Sequence, residues 1–177
     1  MKARSCTFPA MERTPRLRVA ATDADLATVA ELAGRIWRAH FPSILSARQI
    51  EYMLAWMYDA ARLREEVARG VVYELLLDED RPFGYCAYEE LTEGELRLHK
   101  LYLEVADHGH GLGSFALRHV EDEAGRRGLA RVVLGVNKSN EKALRAYQRN
   151  GYVIREAVKK DIGGGFFMDD FIMEKVL

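Results

Sequence analysis

The sequence predicts an α/β domain built around a mixed β-sheet, and two features of the chain support this. The first is the order of elements: a short strand, two or three helices, three antiparallel strands, a helix, a strand, a helix and two final strands. The second is the stretch 96–127, where a strand leads through an acidic loop and three glycines into a helix. Such a crossover makes the strands on either side of it parallel. The expected sheet therefore has about six to seven strands, most of them antiparallel.

Local signals place the elements along the chain. Thr22 is followed by Asp25 with the spacing of a capping box, and Ser46 with Gln49 repeats it. The glycines at 163–165 indicate a mobile connection in the last hairpin. The expected elements are a strand at 17–20, helices beginning at 22, 46 and 59, strands at 71–77, 83–90 and 96–103, a helix at 111–127, a strand at 131–137, a helix at 140–150, and strands at 152–160 and 168–175.

Length and composition fit one domain with a real core, since the chain has 177 residues and 49% hydrophobic content. The net charge of -1 gives no broad field for nucleic acid or an anionic membrane. Cys6 and Cys86 form no metal or disulfide spacing, and Cys86 is expected to be a small buried residue.

The N-terminus is expected to be a disordered tail over 1–15, with the domain over 16–177. The tail lacks the apolar segment of a secretory signal, and Met11 is a candidate start. No apolar run approaches the roughly 18 residues of a membrane span. The expected location is the cytoplasm.

The glycines of the central stretch, Gly109, Gly111 and Gly113, leave the backbone open to a ligand at a helix N-terminus, an arrangement that favours an anion. A phosphate-binding P-loop would need Lys-Ser or Lys-Thr after its glycines. A dinucleotide fingerprint would need the glycines directly after the first strand, whereas seven residues separate Leu103 from Gly111. Neither alternative fits this context.

The run His108-Gly109-His110-Gly111-Leu112-Gly113 resembles the acetyl-CoA signature of the GNAT superfamily of N-acetyltransferases. A second match, Asn140-x-x-Ala143-x-x-x-Tyr147-x-x-x-Gly151-Tyr152, lies downstream at the spacing that the family has. The resemblance covers residues 17–177. An Asn-Glu-Lys-Ala run and a Met-Asp-Asp run are similar to those of bacterial polyamine (spermidine/spermine-type) acetyltransferases.

The resemblance implies a single-domain GNAT fold with helices on both faces of the sheet, a splayed parallel pair of central strands, and acetyl-CoA as the cosubstrate, with no metal. The amides of 109–114 would hold the pyrophosphate, and the backbone of 101–103 would run along the pantetheine arm. The cofactor-binding residues implied are Leu101, Tyr102, Leu103, His108, Gly109, His110, Gly111, Leu112, Gly113, Ser114, Asn140 and Tyr147. Asn140 also fits as the N-cap of its helix.

Two residues are candidates for proton transfer. Tyr147 falls where the family commonly has the acid that protonates the coenzyme A thiolate, although Ala143 and Leu144 make a core tyrosine an alternative. His99, on the central strand, is the candidate base, because imidazole titrates in the useful range. It could equally be a histidine paired with Glu90 or Glu95. The alternate bases acting through water are Tyr88, Glu89 and Glu90.

His108 departs from the arginine or glutamine of the signature. Histidine is only partly cationic at neutral pH, and a nearby diphosphate would favour its charged form. Acetyl-CoA affinity is therefore expected to weaken from about pH 7 to about pH 8. Asp107, His108 and His110 are better explained as a solvated loop than as a metal site, since they lack a further spaced ligand.

The sequence says less about the site that would bind the acceptor amine. Asp169 and Asp170 could bind a cationic acceptor, but a solvated hairpin is favoured. Aromatic residues on the first helices are either core or acceptor-facing: Trp37, Phe41, Trp56 and Tyr58.

The predicted function is acetyl transfer from acetyl-CoA to a primary amine, a small and polyamine-like molecule, by direct transfer in a ternary complex. The alternatives are acetylation of protein N-termini or lysines, and a non-catalytic acyl-CoA-binding module. Neither nucleic acid nor membrane is an expected partner, and the final hairpin could extend a sheet across a homodimer.

Overall fold

The computed structural model describes residues 14–91 and 94–177, which form one mixed sheet of seven strands in the order β1-β2-β3-β4-β5-β7-β6, with five α-helices. Short 3-10 turns follow α1 and β4. The elements are β1 (Pro15–Val19), α1 (Asp23–His40), α2 (Ala47–Met57), α3 (Ala60–Ala68), β2 (Val72–Asp78), β3 (Arg81–Glu90), β4 (Glu95–Leu103), α4 (Leu112–Arg126), β5 (Arg131–Asn137), α5 (Glu141–Arg149), β6 (Val153–Gly163) and β7 (Phe166–Val176).

The predicted fold class is confirmed, including the parallel strand pair. β4 and β5 are parallel neighbours, and their pairing ends at Leu98 and Leu134. Beyond that point β4 continues to Leu103 and β5 to Asn137 without pairing to each other. The two strands therefore leave a gap at the centre of the sheet, on the side where α4 begins.

Two hydrophobic cores cover the two faces of the sheet. One packs α1, α2 and α3 against the sheet around Trp37 and Tyr85. The other packs α4 and part of α5 around Val120 and Tyr152. Cys86 is fully buried in the second core, as predicted. Because each core is built from different helices, the gap in the sheet lies between two independently packed layers.

A β-bulge at His99 changes which side chains of β4 face each core. Lys100 pairs with Ala87, whereas Leu98 pairs with the next residue of β3, so His99 has no partner opposite it. Leu98 lies in the core beneath α4, and after the bulge that face is taken by Leu101. The extra residue thus turns Lys100 towards the opposite core.

The predicted helix starts are present. Thr22 accepts the Asp25 N–H at 3.1 Å and the Asp25 carboxylate accepts the Thr22 N–H, which completes the capping box. Ser46 caps α2 by accepting the Gln49 N–H at 3.2 Å. These local interactions fix where the helices of the first core begin.

The last hairpin is longer than predicted. β6 and β7 extend to Gly163 and Phe166, so the connection is a short turn in which all three glycines have positive φ. The Tyr52 hydroxyl donates to the Ile162 carbonyl at 2.7 Å, which ties the turn to α2.

β1 begins at Pro15, the last residue of the expected tail, and the expectations for Cys6 and Met11 lie outside the described residues.

Candidate active site

A cavity of about 1030 Å³ opens at the gap between β4 and β5. One side is lined by the glycine turn and α5, and the other by α1, α2, α3 and the final hairpin. The cavity therefore joins the two sites that the sequence predicts, one for a donor and one for an acceptor.

Every predicted site residue except His110 lines this cavity: His99, Leu101, Tyr102, Leu103, His108, Gly109, Gly111, Leu112, Gly113, Ser114, Asn140 and Tyr147. The His110 side chain is exposed and outside the lining. Only its backbone remains a candidate contact.

The glycine turn exposes the N-terminus of α4 to the cavity. Gly111 is the N-cap with φ 75°, and no side chain caps the helix there. Gly109 also has a positive φ of 84°. These left-handed conformations favour glycine, and the first amides of α4 have no partner within their own helix. The positive end of the helix dipole thus faces the cavity, where it can bind an anion.

The loop before the glycines is anchored by a buried ion pair. Asp107 is 1% exposed, and the Arg81 guanidinium contacts both of its oxygens, at 3.0 and 3.2 Å. Among the residues that the structure describes, no group of His, Cys, Asp or Glu side chains comes together as a metal site.

His108 is held by both ring nitrogens. Lys142 donates to Nδ1 at 2.7 Å, and Nε2 lies 3.0 Å from the Leu103 carbonyl oxygen. An ammonium can only donate and a carbonyl can only accept, so the imidazole is neutral with its proton on Nε2. Burial, with Lys142 adding to it, lowers the pKa of His108. As it stands in this structure His108 is therefore neutral, and the permanent cation at this position is Lys142.

Tyr147 lines the cavity from α5 and packs edge-on against Tyr152, with ring centroids 5.9 Å apart. Burial raises the pKa of Tyr147 to about 12. The hydroxyl therefore remains protonated at neutral pH and can act as an acid. About two turns earlier, the Asn140 side chain accepts the Ala143 N–H at 3.2 Å, so its predicted role as the N-cap is confirmed.

His99 faces the cavity at the bulge and lies 2.7 Å from the Glu89 carboxylate through Nε2. Burial lowers its pKa, with Glu89 acting in the opposite direction. Because a carboxylate only accepts, Nε2 carries the proton of the neutral ring and Nδ1 is left as an acceptor. The histidine is paired with a glutamate, but the partner is Glu89 and not Glu90 or Glu95 as predicted. The arrangement suits a proton acceptor.

A buried ion pair lies on the acceptor side of the cavity. Lys100 is 4% exposed and donates to Glu66 at 2.8 Å, and also to the Tyr73 hydroxyl. Burial lowers the pKa of Lys100. Trp37 and Phe41 are both buried and both line the cavity, so each is a core residue and also faces the acceptor side.

Asp170 is not part of a solvated hairpin, which corrects the favoured prediction. It is 8% exposed, lies on β7 between β5 and β6, and lines the cavity. Burial, together with Asp169, raises its pKa. Asp169 behaves as predicted, since its side chain is 48% exposed and pairs with Lys138 at 2.5 Å.

Comparison with known proteins agrees with this geometry. The model of the acetyltransferase (GNAT) family matches residues 28–152. The chain belongs to the GNAT acetyltransferase family. Family membership makes this GNAT protein an acetyl-CoA-dependent N-acetyltransferase, which confirms the predicted enzyme class.

Individual proteins are similar to this chain in sequence or in fold. An uncharacterized N-acetyltransferase of Mycobacterium tuberculosis is 28% identical over 157 residues, 88% of this chain and 99% of the relative. The PaiA N-acetyltransferase of Thermoplasma acidophilum, solved with coenzyme A, has a TM-score of 0.78 and 22% identity over 93% of this chain and 99% of its own. The Salmonella typhimurium protein yncA, solved with acetyl-CoA, has a TM-score of 0.64 and 22% identity over 93% and 94% of the two chains.

Sequence reasoning missed three features of the site. Lys142 lies inside the second motif but was not identified as the cation that contacts His108. The bulge at His99 has a signal in the sequence, because the apolar alternation of Leu96 and Leu98 resumes one residue late at Leu101. The contact between Lys100 and α3 joins residues far apart in the chain and leaves no local pattern.

Proposed function

We propose that this GNAT protein transfers the acetyl group of acetyl-CoA directly to a small primary amine, with both bound in the cavity. The observation that supports this most strongly is the open gap between β4 and β5, onto which the uncapped N-terminus of α4, the Tyr147 side chain and the acceptor side all face. One cavity thus has an anion site, an acid and space for a second substrate.

The donor would bind along the gap. The first amides of α4 would hold the pyrophosphate, and the backbone of 101–103, which is paired to β3 but not to β5, would contact the pantetheine arm. Lys142 supplies the positive charge that His108 lacks, and its hydrogen bond to the His108 ring keeps the ammonium beside the glycine turn. A fixed ammonium strengthens phosphate binding because the charge is already in place.

The chemical step needs one proton removed and one supplied. The neutral amine attacks the thioester carbonyl carbon, and the C–S bond breaks as the tetrahedral intermediate collapses. Tyr147, protonated at neutral pH, donates its proton to the leaving thiolate. His99 accepts the proton of the amine, directly or through water, at the nitrogen that Glu89 leaves free.

Direct transfer is supported by the state of the cysteine. Cys86 is completely buried, and burial raises the pKa of its thiol well above the ordinary value. A thiol in that state is a poor nucleophile, so it does not fit an acetyl-enzyme intermediate.

Contacts between α2 and the final hairpin cover part of the acceptor side, and this cover favours a small amine over a protein substrate. Tyr52 and Gln49 of α2 both contact the final hairpin, the latter through a 3.0 Å bond to the Phe167 carbonyl. A polypeptide would need a groove open at both ends. The polyamine-like acceptor has less support, since the acceptor side carries Arg62, Arg69, Arg97 and Lys160 as well as acidic residues.

A panel of amines assayed for free-thiol release from acetyl-CoA tests the proposal. The panel contains diamines, amino acids and a peptide with a free N-terminus. Turnover with at least one small amine, above the hydrolysis seen without amine, is the expected result. Tight coenzyme A binding with no turnover on any amine would instead identify a non-catalytic binding module.

A further inference from the structure

We propose that the acceptor amine also carries a carboxylate, with Asp170 binding its ammonium group and Arg97 its carboxylate. The inference rests on the proposed function and names the substrate class for that acceptor site. It comes from two oppositely charged side chains that face the same cavity without contacting each other.

Asp170 is a buried carboxylate without a protein partner. It is 8% exposed and lines the cavity, and within 14–91 and 94–177 no hydrogen bond or ion pair engages its oxygens. On the sheet Asp170 pairs with Asn137 of β5, and two residues earlier on that strand an added Cβ at Gly135 would lie 3.9 Å from an Asp170 oxygen. The missing side chain at Gly135 leaves the space in front of the carboxylate open. A buried carboxylate of this kind needs a cationic partner, which a protonated amine supplies.

Arg97 is the complementary group. It lines the cavity from β4, where its cross-strand neighbour is Glu89. Glu89 is already bound to His99, and no other described residue forms an ion pair with the Arg97 guanidinium. Its five N–H donors are therefore available, and a guanidinium binds carboxylates in a bidentate manner.

Arg97 and Asp170 form no ion pair, but the charge of Arg97 acts on Asp170. It opposes the rise that burial causes in the pKa of Asp170, and it adds to the lowering of the pKa of His99. The guanidinium therefore lies near the candidate base as well as the carboxylate. An amine anchored at Asp170 would thus be close to the gap where the thioester is expected. Its own carboxylate would lie towards Arg97.

Two cations near this part of the acceptor side already have acidic partners, whereas Arg69 and Lys160 also line the cavity. Lys138 pairs with Asp169, and Lys100 pairs with Glu66. A diamine would direct its second cation towards Arg97, which is unfavourable in a site of low polarity. A zwitterionic acceptor satisfies both free groups.

Matched pairs of acceptors test the inference on the intact protein. L-lysine and cadaverine differ only by the α-carboxylate, and so do L-alanine and ethylamine. We expect kcat/KM to be at least tenfold higher for the carboxylate-bearing member of a pair that is accepted. Equal values, or a preference for the decarboxylated amine, would overturn the inference. If no amine is acetylated, the proposed function itself fails.

Substitutions separate the two roles. Arg97→Gln should raise KM for the carboxylate-bearing amine at least tenfold and leave KM for its decarboxylated analogue unchanged. Asp170→Asn should raise KM for both. The neighbour Asp169→Asn serves as the matched control, because that side chain lies outside the cavity lining and pairs with Lys138. Coenzyme A binding, measured by calorimetry, should be equal in all variants and shows that each is folded. An Arg97→Gln enzyme with unchanged KM for both amines would contradict the assignment.

Discussion

His108 occupies the position where the donor signature normally has a cation or an amide, and its role depends on the residue behind it. The ring accepts from Lys142 and donates to the Leu103 carbonyl, so it connects the cation to the strand that borders the gap. A neutral histidine thus positions a charge instead of carrying one. The sequence predicted the site, but not this division of roles.

Lys142→Ala should weaken coenzyme A binding by about tenfold, which corresponds to about 1.4 kcal/mol, because a charge-assisted contact is lost. Calorimetric titration measures the effect. Arg145→Ala, one turn along the same helix and paired with Glu141, is the matched control and should bind like the wild type.

The pKa of His108 is lowered, so wild-type affinity should stay flat above about pH 7. A loss of coenzyme A affinity in that range would show that His108 is charged when the cofactor is bound.

His99 gives a second prediction at this scale, on the pH dependence of turnover. A base must be unprotonated, and burial lowers the pKa of His99 below its ordinary 6.5. Turnover at saturating substrates should therefore be constant near neutral pH and fall as the pH drops through that lowered pKa. His99→Gln should lower kcat by about 100-fold and remove the acid limb. A variant that keeps the wild-type limb would show that another group acts as the base.

At the scale of elements, the bulge in β4 decides what the acceptor side contains. Without an extra residue at His99, the alternation of Leu96 and Leu98 would place Lys100 in the core under α4. With it, Lys100 reaches Glu66 on α3. The His-Lys doublet in an otherwise alternating strand is the local signal for this change of phase.

The Lys100–Glu66 pair also links β4 to α3, and breaking it should destabilise the fold. Lys100→Met leaves the buried Glu66 carboxylate with Arg62 as its remaining cation, which costs about 3 kcal/mol, the lower end of the range for a broken buried pair. Urea unfolding measures the loss. The double variant Lys100→Met with Glu66→Leu should recover most of it, because no buried charge is then left unpaired and the Arg62 side chain is partly exposed. Arg64→Ala, which breaks the exposed pair with Asp23, should leave the unfolding midpoint nearly unchanged.

At the scale of the whole molecule, the order of elements predicted the sheet and the parallel pair, and the resemblance to the GNAT family implied the gap between those two strands. That succeeded because helix caps, glycine turns and apolar periodicity are local. The burial of Asp170 was not predictable, since it depends on β7 lying between β5 and β6. The pairing of Lys100 with α3 has the same origin, because it is set by how distant segments pack.

No helix in the described part of the chain is long and apolar enough to span a membrane. The homodimer stays a prediction, with β6 as the edge strand that a second copy could extend.

The most direct test of the proposed mechanism is the kinetics of Tyr147→Phe. The substitution removes one hydroxyl from the cavity and leaves the packing against Tyr152 in place. If Tyr147 protonates the departing thiolate, kcat for thiol release should fall by about 100-fold or more while the dissociation constant of coenzyme A stays within about twofold of the wild type. An unchanged kcat in a variant that binds coenzyme A normally would contradict the account.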